Sequence, residues 1–144
     1  MSTTRAQKRL RFDRADVHEE ADGQCRVDVT FTLSERTITA SARGGCDEAG
    51  RMKAAAAAAL KAVEETVERR FTCALADLDH VNALGKDLIG VLVDVNFEGR
   101  ETQIFGSCEI IGNETDAAVK SALNATNRFF ELAMRGQEAR LRTD

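Results

Sequence analysis

The sequence predicts an α+β fold: two tandem β-β-β-α repeats related by a pseudo-two-fold axis, with the helices packed on antiparallel sheets. Three observations carry this prediction. Residues 25–33 and 89–97 alternate apolar and polar side chains at period two, as a strand with one buried face requires. Each run is followed by a short polar turn, a further alternating run and an Ala-rich segment of helical period. Adding 64 to the residue number carries Val27, Val29, Phe31 and Leu33 onto Val91, Val93, Val95 and Phe97, and Arg36 onto Arg100. An even offset keeps strand phase, so the same face is buried in both copies. Two unrelated meander-plus-helix units are the alternative, but such units would not keep phase, turn and helix together.

Taken in order, residues 1–8 read as a flexible leader. Leu10 and Phe12 alternate with Arg9, Arg11 and Asp13, which predicts a first strand to about Val17. Asp22-Gly23 marks a hairpin turn. Cys25 to Leu33 is the second strand, Ser34-Glu-Arg36 turns the chain, and Ile38, Ala40 and Ala42 lie on one face of the third. Gly44-Gly45 ends that strand and Asp47 is placed to cap a helix. The helix runs to about Glu68, with Met52, Ala56, Ala59, Leu60, Val63 and Val67 on its apolar face. The second copy begins with a strand over 71–81, to which the offset assigns Val81 as the counterpart of Val17. A loop over 82–87, a strand over 89–97 and a third strand through Ile104, Gly106, Cys108 and Ile110 follow. Asn113 or Thr115 caps a last helix whose face carries Ala118, Ala122, Ala125, Phe129 and Ala133; here the offset becomes 63, matching Leu60 to Leu123. The domain therefore spans 9–134, as repeats 9–70 and 71–134, with a flexible tail over 135–144. A three-stranded sheet with one helix buries its apolar face poorly, so two copies are expected to share one core.

Composition narrows function. Hydrophobic residues at 43% and charged residues at 31% suit a globular domain, and no apolar run reaches the length of a membrane helix. The N-terminus lacks an apolar signal core, which predicts a cytoplasmic protein. A net charge of −4, no Trp or Tyr and 7 Phe argue against nucleic acid as a partner. The basic clusters at Arg5, Lys8, Arg9 and Arg11 and at Arg135, Arg140 and Arg142 read as solvated ends. The cysteines Cys25, Cys46, Cys73 and Cys108 form no C-x-x-C pair and read as free thiols, with Cys25, Cys73 and Cys108 in the core phase. In a cytoplasmic chain the sequons at Asn113 and Asn124 have no chemical role. No cofactor or metal site is expected: His18 and His80 are not repeat equivalents and lie in no ligand-spaced cluster.

Two groups are weighed as catalytic and set aside. Asp77 and Asp79 share a strand phase and His80 follows them, an acid–base set only if a pocket shifts a pKa; a solvated strand face accounts for them. Cys46 lies in a glycine loop at a helix start, where the dipole lowers a thiol pKa, but a small residue in a tight turn accounts for it. The feature singled out for ligand contact is the loop Gly85-Lys-Asp87-Leu-Ile-Gly90. Its glycines admit close approach and free amides for a carboxylate, and Asp87 would accept from an ammonium group. A plain β-loop with a turn glycine is the alternative.

This pair of units, with Gly85-Lys-Asp87-Leu-Ile-Gly90, Gly106 in the third strand and Ala122-Leu-Asn-Ala-Thr-Asn-Arg128 in the last helix, resembles the C-terminal regulatory domain of α-isopropylmalate synthase and citramalate synthase. The resemblance covers about residues 9–134. The chain departs from the pattern at Leu88, where that family has Ala. It also has no Gly-Pro element in the first unit and no segment corresponding to the family's catalytic barrel. The resemblance implies a non-catalytic regulatory module that acts as a homodimer and senses a small molecule such as leucine or isoleucine. A separate catalytic subunit would then be a further partner. It places ligand contacts at Ala83, Gly85, Lys86, Asp87, Ile89 and Gly90. A dimerisation or protein-interaction domain without a ligand site is the alternative.

Overall fold

Alternating side chains commit each half of the chain to a three-stranded meander, and a helix follows each meander along the chain. The computed structural model describes residues 9–143, with side chains to residue 136; the leader expected over 1–8 lies outside them. Strands β1 (Leu10–Glu19), β2 (Gln24–Leu33) and β3 (Arg36–Gly45) form one antiparallel sheet, sheet A, in the order β1-β2-β3. Strands β4 (Phe71–Ala83), β5 (Lys86–Phe97) and β6 (Arg100–Glu109) form sheet B in the order β4-β5-β6. Helix α1 (Glu48–Thr66) follows β3 and helix α2 (Glu114–Thr143) follows β6. The fold is α+β, with two antiparallel three-stranded sheets and two helices in the order β-β-β-α, β-β-β-α.

The inner ladders of the two sheets match. Val27 faces Ala42 and Val91 faces Gly106; Val29 faces Ala40 and Val93 faces Ile104. The outer strands do not follow that offset. Val17 faces Val27, but Val91 faces Leu78, so Leu78 and not Val81 occupies the position of Val17. The cause is the hairpin. β1 and β2 are joined through a single 3-10 turn, Ala21–Gly23, with Asp22 and Gly23 at positive φ. β4 and β5 continue pairing to Ala83 and Lys86. Each first strand also carries a bulge, between Phe12 and Arg14 in β1 and between Leu75 and Asp77 in β4. A bulge inserts one residue and flips the phase after it.

Both helices start as their sequences dictate. Asp47 accepts a hydrogen bond from the Gly50 amide at 2.9 Å, and Asn113 accepts one from the Asp116 amide at 2.8 Å. The residues expected to form the tail, from 135, continue α2 to Thr143, because no Gly-Pro stop signal interrupts the helical pattern. The core is one cluster. Val27, Val29 and Phe31 of sheet A and Ile89, Val91, Val93 and Val95 of sheet B are buried, together with Ala55, Ala59, Leu60 and Val63 of α1 and Ala118, Val119 and Ala122 of α2. α1 packs on β2, β3, β4 and α2, and α2 on β5, β6 and β1, so small alanines on both helices let the backbones approach. Phe71, Phe97 and Phe129 close one end with ring centroids 5.8–6.3 Å apart.

Candidate functional site

The hairpin that ends β4 occupies the place of the expected ligand loop. Ala83 and Lys86 pair across a two-residue turn, Leu84-Gly85, with φ of 54° and 75°. That left-handed pair matches the twist of the flanking strands, so pairing runs through 82–87 and no loop remains. The six residues singled out for ligand contact do not converge. Ile89 is fully buried in the core, and Gly90 lies on the opposite, outer face under the ring of Phe105. Ala83, Gly85, Lys86 and Asp87 sit at the hairpin tip, where Leu84 is fully exposed. Asp87 is engaged by its neighbours, accepting from Asn82 Nδ2 at 3.1 Å with His80 Nε2 at 3.5 Å.

The catalytic candidates are also separated. Asp77 and Asp79 share the outer face of sheet B, and each accepts from the amide of the following residue, Leu78 at 2.8 Å and His80 at 2.9 Å. Strand alternation turns His80 to the other face, opposite Ile89. Cys46 is bonded to Cys25, with Cα atoms 5.1 Å apart, so the reading of both as free thiols is corrected. The pairing follows from register: Cys25 faces Gly44 at the end of β3, which brings the turn before α1 over the start of β2. Cys73 and Cys108 are free. Burial, with a smaller contribution from the Glu64 carboxylate, pushes the Cys73 thiol up to about 12, so it is a poor nucleophile. Glu64 instead accepts the outward Cys73 amide at 2.7 Å, covering part of the free edge of β4. Among the described residues, no three His, Cys, Asp or Glu side chains are grouped to hold a metal ion, and no helix is long and apolar enough to cross a membrane.

The two outer sheet faces, built on matching ladders, carry opposite chemistry. On sheet A, Asp28 accepts from Arg26 Nε at 3.0 Å and from Ser41 Oγ at 2.6 Å, and lies 3.1 Å from His18 Nε2. Glu20 takes Arg43 Nε at 2.7 Å and Arg26 Nη1 at 3.2 Å. The Ser41 hydroxyl, then Arg26, hold the Asp28 carboxyl below the usual carboxylate range; the Arg43 hydrogen bond does the same to Glu20. Sheet B has none of this network. The ladder places Leu92 where sheet A has Asp28, Phe105 where it has Ser41, and Gly90 where it has Arg26. Phe105 is 62% exposed and lies against Gly90, with Val81 also close; Leu88 and Leu92 are half-buried beside them. At the far end of the same face an open cleft of about 650 Å³ is lined by Glu64, Thr72, Asp94, Asn96, Glu101 and Gln103, among others.

Sequence reasoning missed this face. The signal was present, since Leu88, Leu92 and Phe105 stand at polar-phase positions of otherwise clean alternations. The sequence matches no protein-family model and no curated protein.

Proposed function

We propose that this chain is a non-catalytic interaction and regulatory domain that engages another polypeptide through the outer face of sheet B. One observation carries the reading. Positions that hold an ion-pair network on sheet A hold Leu92, Phe105 and Gly90 on sheet B, and a soluble surface of this kind is one that a partner covers. The resemblance to the α-isopropylmalate synthase regulatory domain supports it from the side of sequence. It suggests a pseudo-two-fold relation between the halves and a separate catalytic subunit as the natural partner. A random peptide library panned on the wild-type domain, and counter-selected on L92T/F105S, tests the reading. Clones that bind the first and not the second are expected; their absence removes the proposal.

A second reading, small-molecule sensing by a dimer, is favoured by the cleft. Asp94 and Glu101 there suit the ammonium group of an amino acid, while Thr72, Asn96 and Gln103 offer further hydrogen bonds. Binding of leucine, isoleucine or valine at millimolar concentration would raise the melting temperature by linkage. No shift, or a shift that D94N/E101Q retains, sinks that form of it. If the domain works in the cytoplasm, the Cys25–Cys46 bond would be open to reduction there.

A further inference from the structure

The exposed apolar strip of sheet B is framed by one sign of charge. Along the outer face, β4 presents Asp77 and Asp79, β5 presents Asp94, and β6 presents Glu101 and Glu109. Lys86 is the one basic side chain of that phase, and it lies 3.5 Å from Glu109. Among the described residues no other ion pair is made on this face, and Asp94 is bonded only to the neutral amide of Gln103, at 2.9 Å. The register sets the layout: Asp77 is beside Leu92, with Phe105 on the far side of Leu92, Asp79 is beside Gly90, and Glu109 is beside Leu88. Carboxylates therefore flank the strip on its β4 side and at both ends. On the outer face of sheet A, by contrast, Asp28 and Glu20 are balanced by Arg26 and Arg43.

From this frame we infer that the sheet B face docks a short segment of another polypeptide in which aliphatic or aromatic side chains alternate with Lys or Arg. The inference rests on the interaction reading above and adds the partner's chemistry. Charge decides against a second copy, because two such faces brought together would oppose Asp77, Asp79, Asp94 and Glu101 to their own kind, and like-charge contact at an interface is costly. Size points the same way. Three strands spaced by about 4.8 Å, over about ten residues of about 3.3 Å, give a face of roughly 500 Å². A stable dimer usually buries about 800 Å² on each side. An extended segment fits better: its apolar side chains would seat on Val81, Leu88, Leu92 and the Phe105 ring, and its cations would reach the flanking carboxylates. Phe105 against Gly90 offers a flat aromatic surface on which an arginine can also stack.

The test is fluorescence anisotropy with three fluorescein-labelled nine-residue peptides. All share the same Leu and Phe positions, and the intervening residues are Lys/Arg, Ser/Thr or Asp/Glu. The basic peptide is expected to bind at least tenfold more tightly than the neutral one at 50 mM salt, and to lose at least fivefold at 300 mM. L92T/F105S should weaken it tenfold or more. D77N/D79N keeps the acceptor oxygens that bond Leu78 and His80, and should cut the preference for the basic peptide to under threefold. Circular dichroism melts close to wild type confirm that both variants fold. If neutral and basic peptides bind alike and L92T/F105S still abolishes binding, the charge inference is overturned and the interaction reading stands. If no peptide distinguishes wild type from L92T/F105S, both fall. A dimer seen by light scattering that L92T/F105S dissolves would make the occupant a second copy and overturn the inference.

Discussion

Replacing Gly106 by alanine puts the packing of sheet B on α2 to a quantitative test. Gly106 is buried on β6 beneath α2, and a Cβ built there would stand 2.6 Å from both the Cβ and the amide nitrogen of Ala125, with the Ser121 carbonyl also in its way. Ordinary contacts of a Cβ lie at 3.4 Å or beyond, so the helix must withdraw by most of an ångström. Two of the three obstacles are helix backbone, which has no rotamer to change. Withdrawal would also lengthen the bond from the buried Ser121 hydroxyl to the Ile89 carbonyl, now 2.9 Å. Overpacking of this kind costs about 1–3 kcal/mol. With a urea slope of about 1–3 kcal/mol per molar, the midpoint should fall by roughly 1 M. Urea unfolding followed by circular dichroism measures this directly. Gly45→Ala serves as the milder comparison: its added Cβ meets only the Asp47 carboxylate oxygen at 3.2 Å, the atom that caps α1, and it should cost no more than the loss of a cap, about 1 kcal/mol. A Gly106→Ala protein as stable as wild type would show that α2 does not lie this close to β6.

Thiol titration in denaturant without reductant should give two reactive groups per chain, Cys73 and Cys108, rising to four after reduction; four at the outset would refute the Cys25–Cys46 bond. For a bond spanning 21 residues, reduction should lower stability by roughly 3 kcal/mol in the chain-entropy account. In the folded protein at pH 8.5, iodoacetamide followed by mass spectrometry should label Cys108 well before Cys73, whose thiol stays protonated until about pH 12; equal rates would contradict the burial of Cys73. The lowered pKa values of Asp28 and Glu20 mean that the unfolded chain binds protons first on acidification. Their contribution is thus complete above the ordinary carboxylate range and is lost as pH falls through their depressed folded values. Asp28→Asn should make urea midpoints at pH 6 and pH 3 differ less than in wild type, and an unchanged difference would exclude Asp28 from the acid limb.

The parts of the fold legible in the sequence are those decided by local rules. Alternation placed β2 and β5, because a half-buried strand requires it over several residues. Helix starts were readable because Asp47 and Asn113 must satisfy free amides at the first turn. The sequon residue Asn124 has a structural task as well, accepting the Ser107 amide at 3.2 Å. What escaped was non-local. The offset that holds for Val27 and Val91 fails for Val17, since nothing in the spacing reveals how far a hairpin keeps pairing once Leu84 and Gly85 accept left-handed angles. The Cys25–Cys46 bond depends on the register of β2 against β3, and the loop at Gly85 read as a ligand site because glycines mark a tight turn and a close approach to a ligand alike.

The face proposed for interaction was hidden for a different reason. Phase analysis asks which side of a strand is apolar, and for β5 the answer is Ile89, Val91, Val93 and Val95; Leu88 and Leu92 then pass as tolerated exceptions on the polar side. Singly exposed apolar residues are ordinary on protein surfaces. They become informative only when the register gathers Val81, Leu88, Leu92 and Phe105 on one face, and when the matching ladder of sheet A shows what a solvated version looks like. The internal repeat supplies that comparison. Both units bury the same positions, so a shared core explains the conserved inner phases and says nothing about the outer ones. Since the folding requirements of the two sheets are alike, the exchange of Asp28 and Ser41 for Leu92 and Phe105 calls for a cause outside the fold, and the partner proposed for sheet B would supply one.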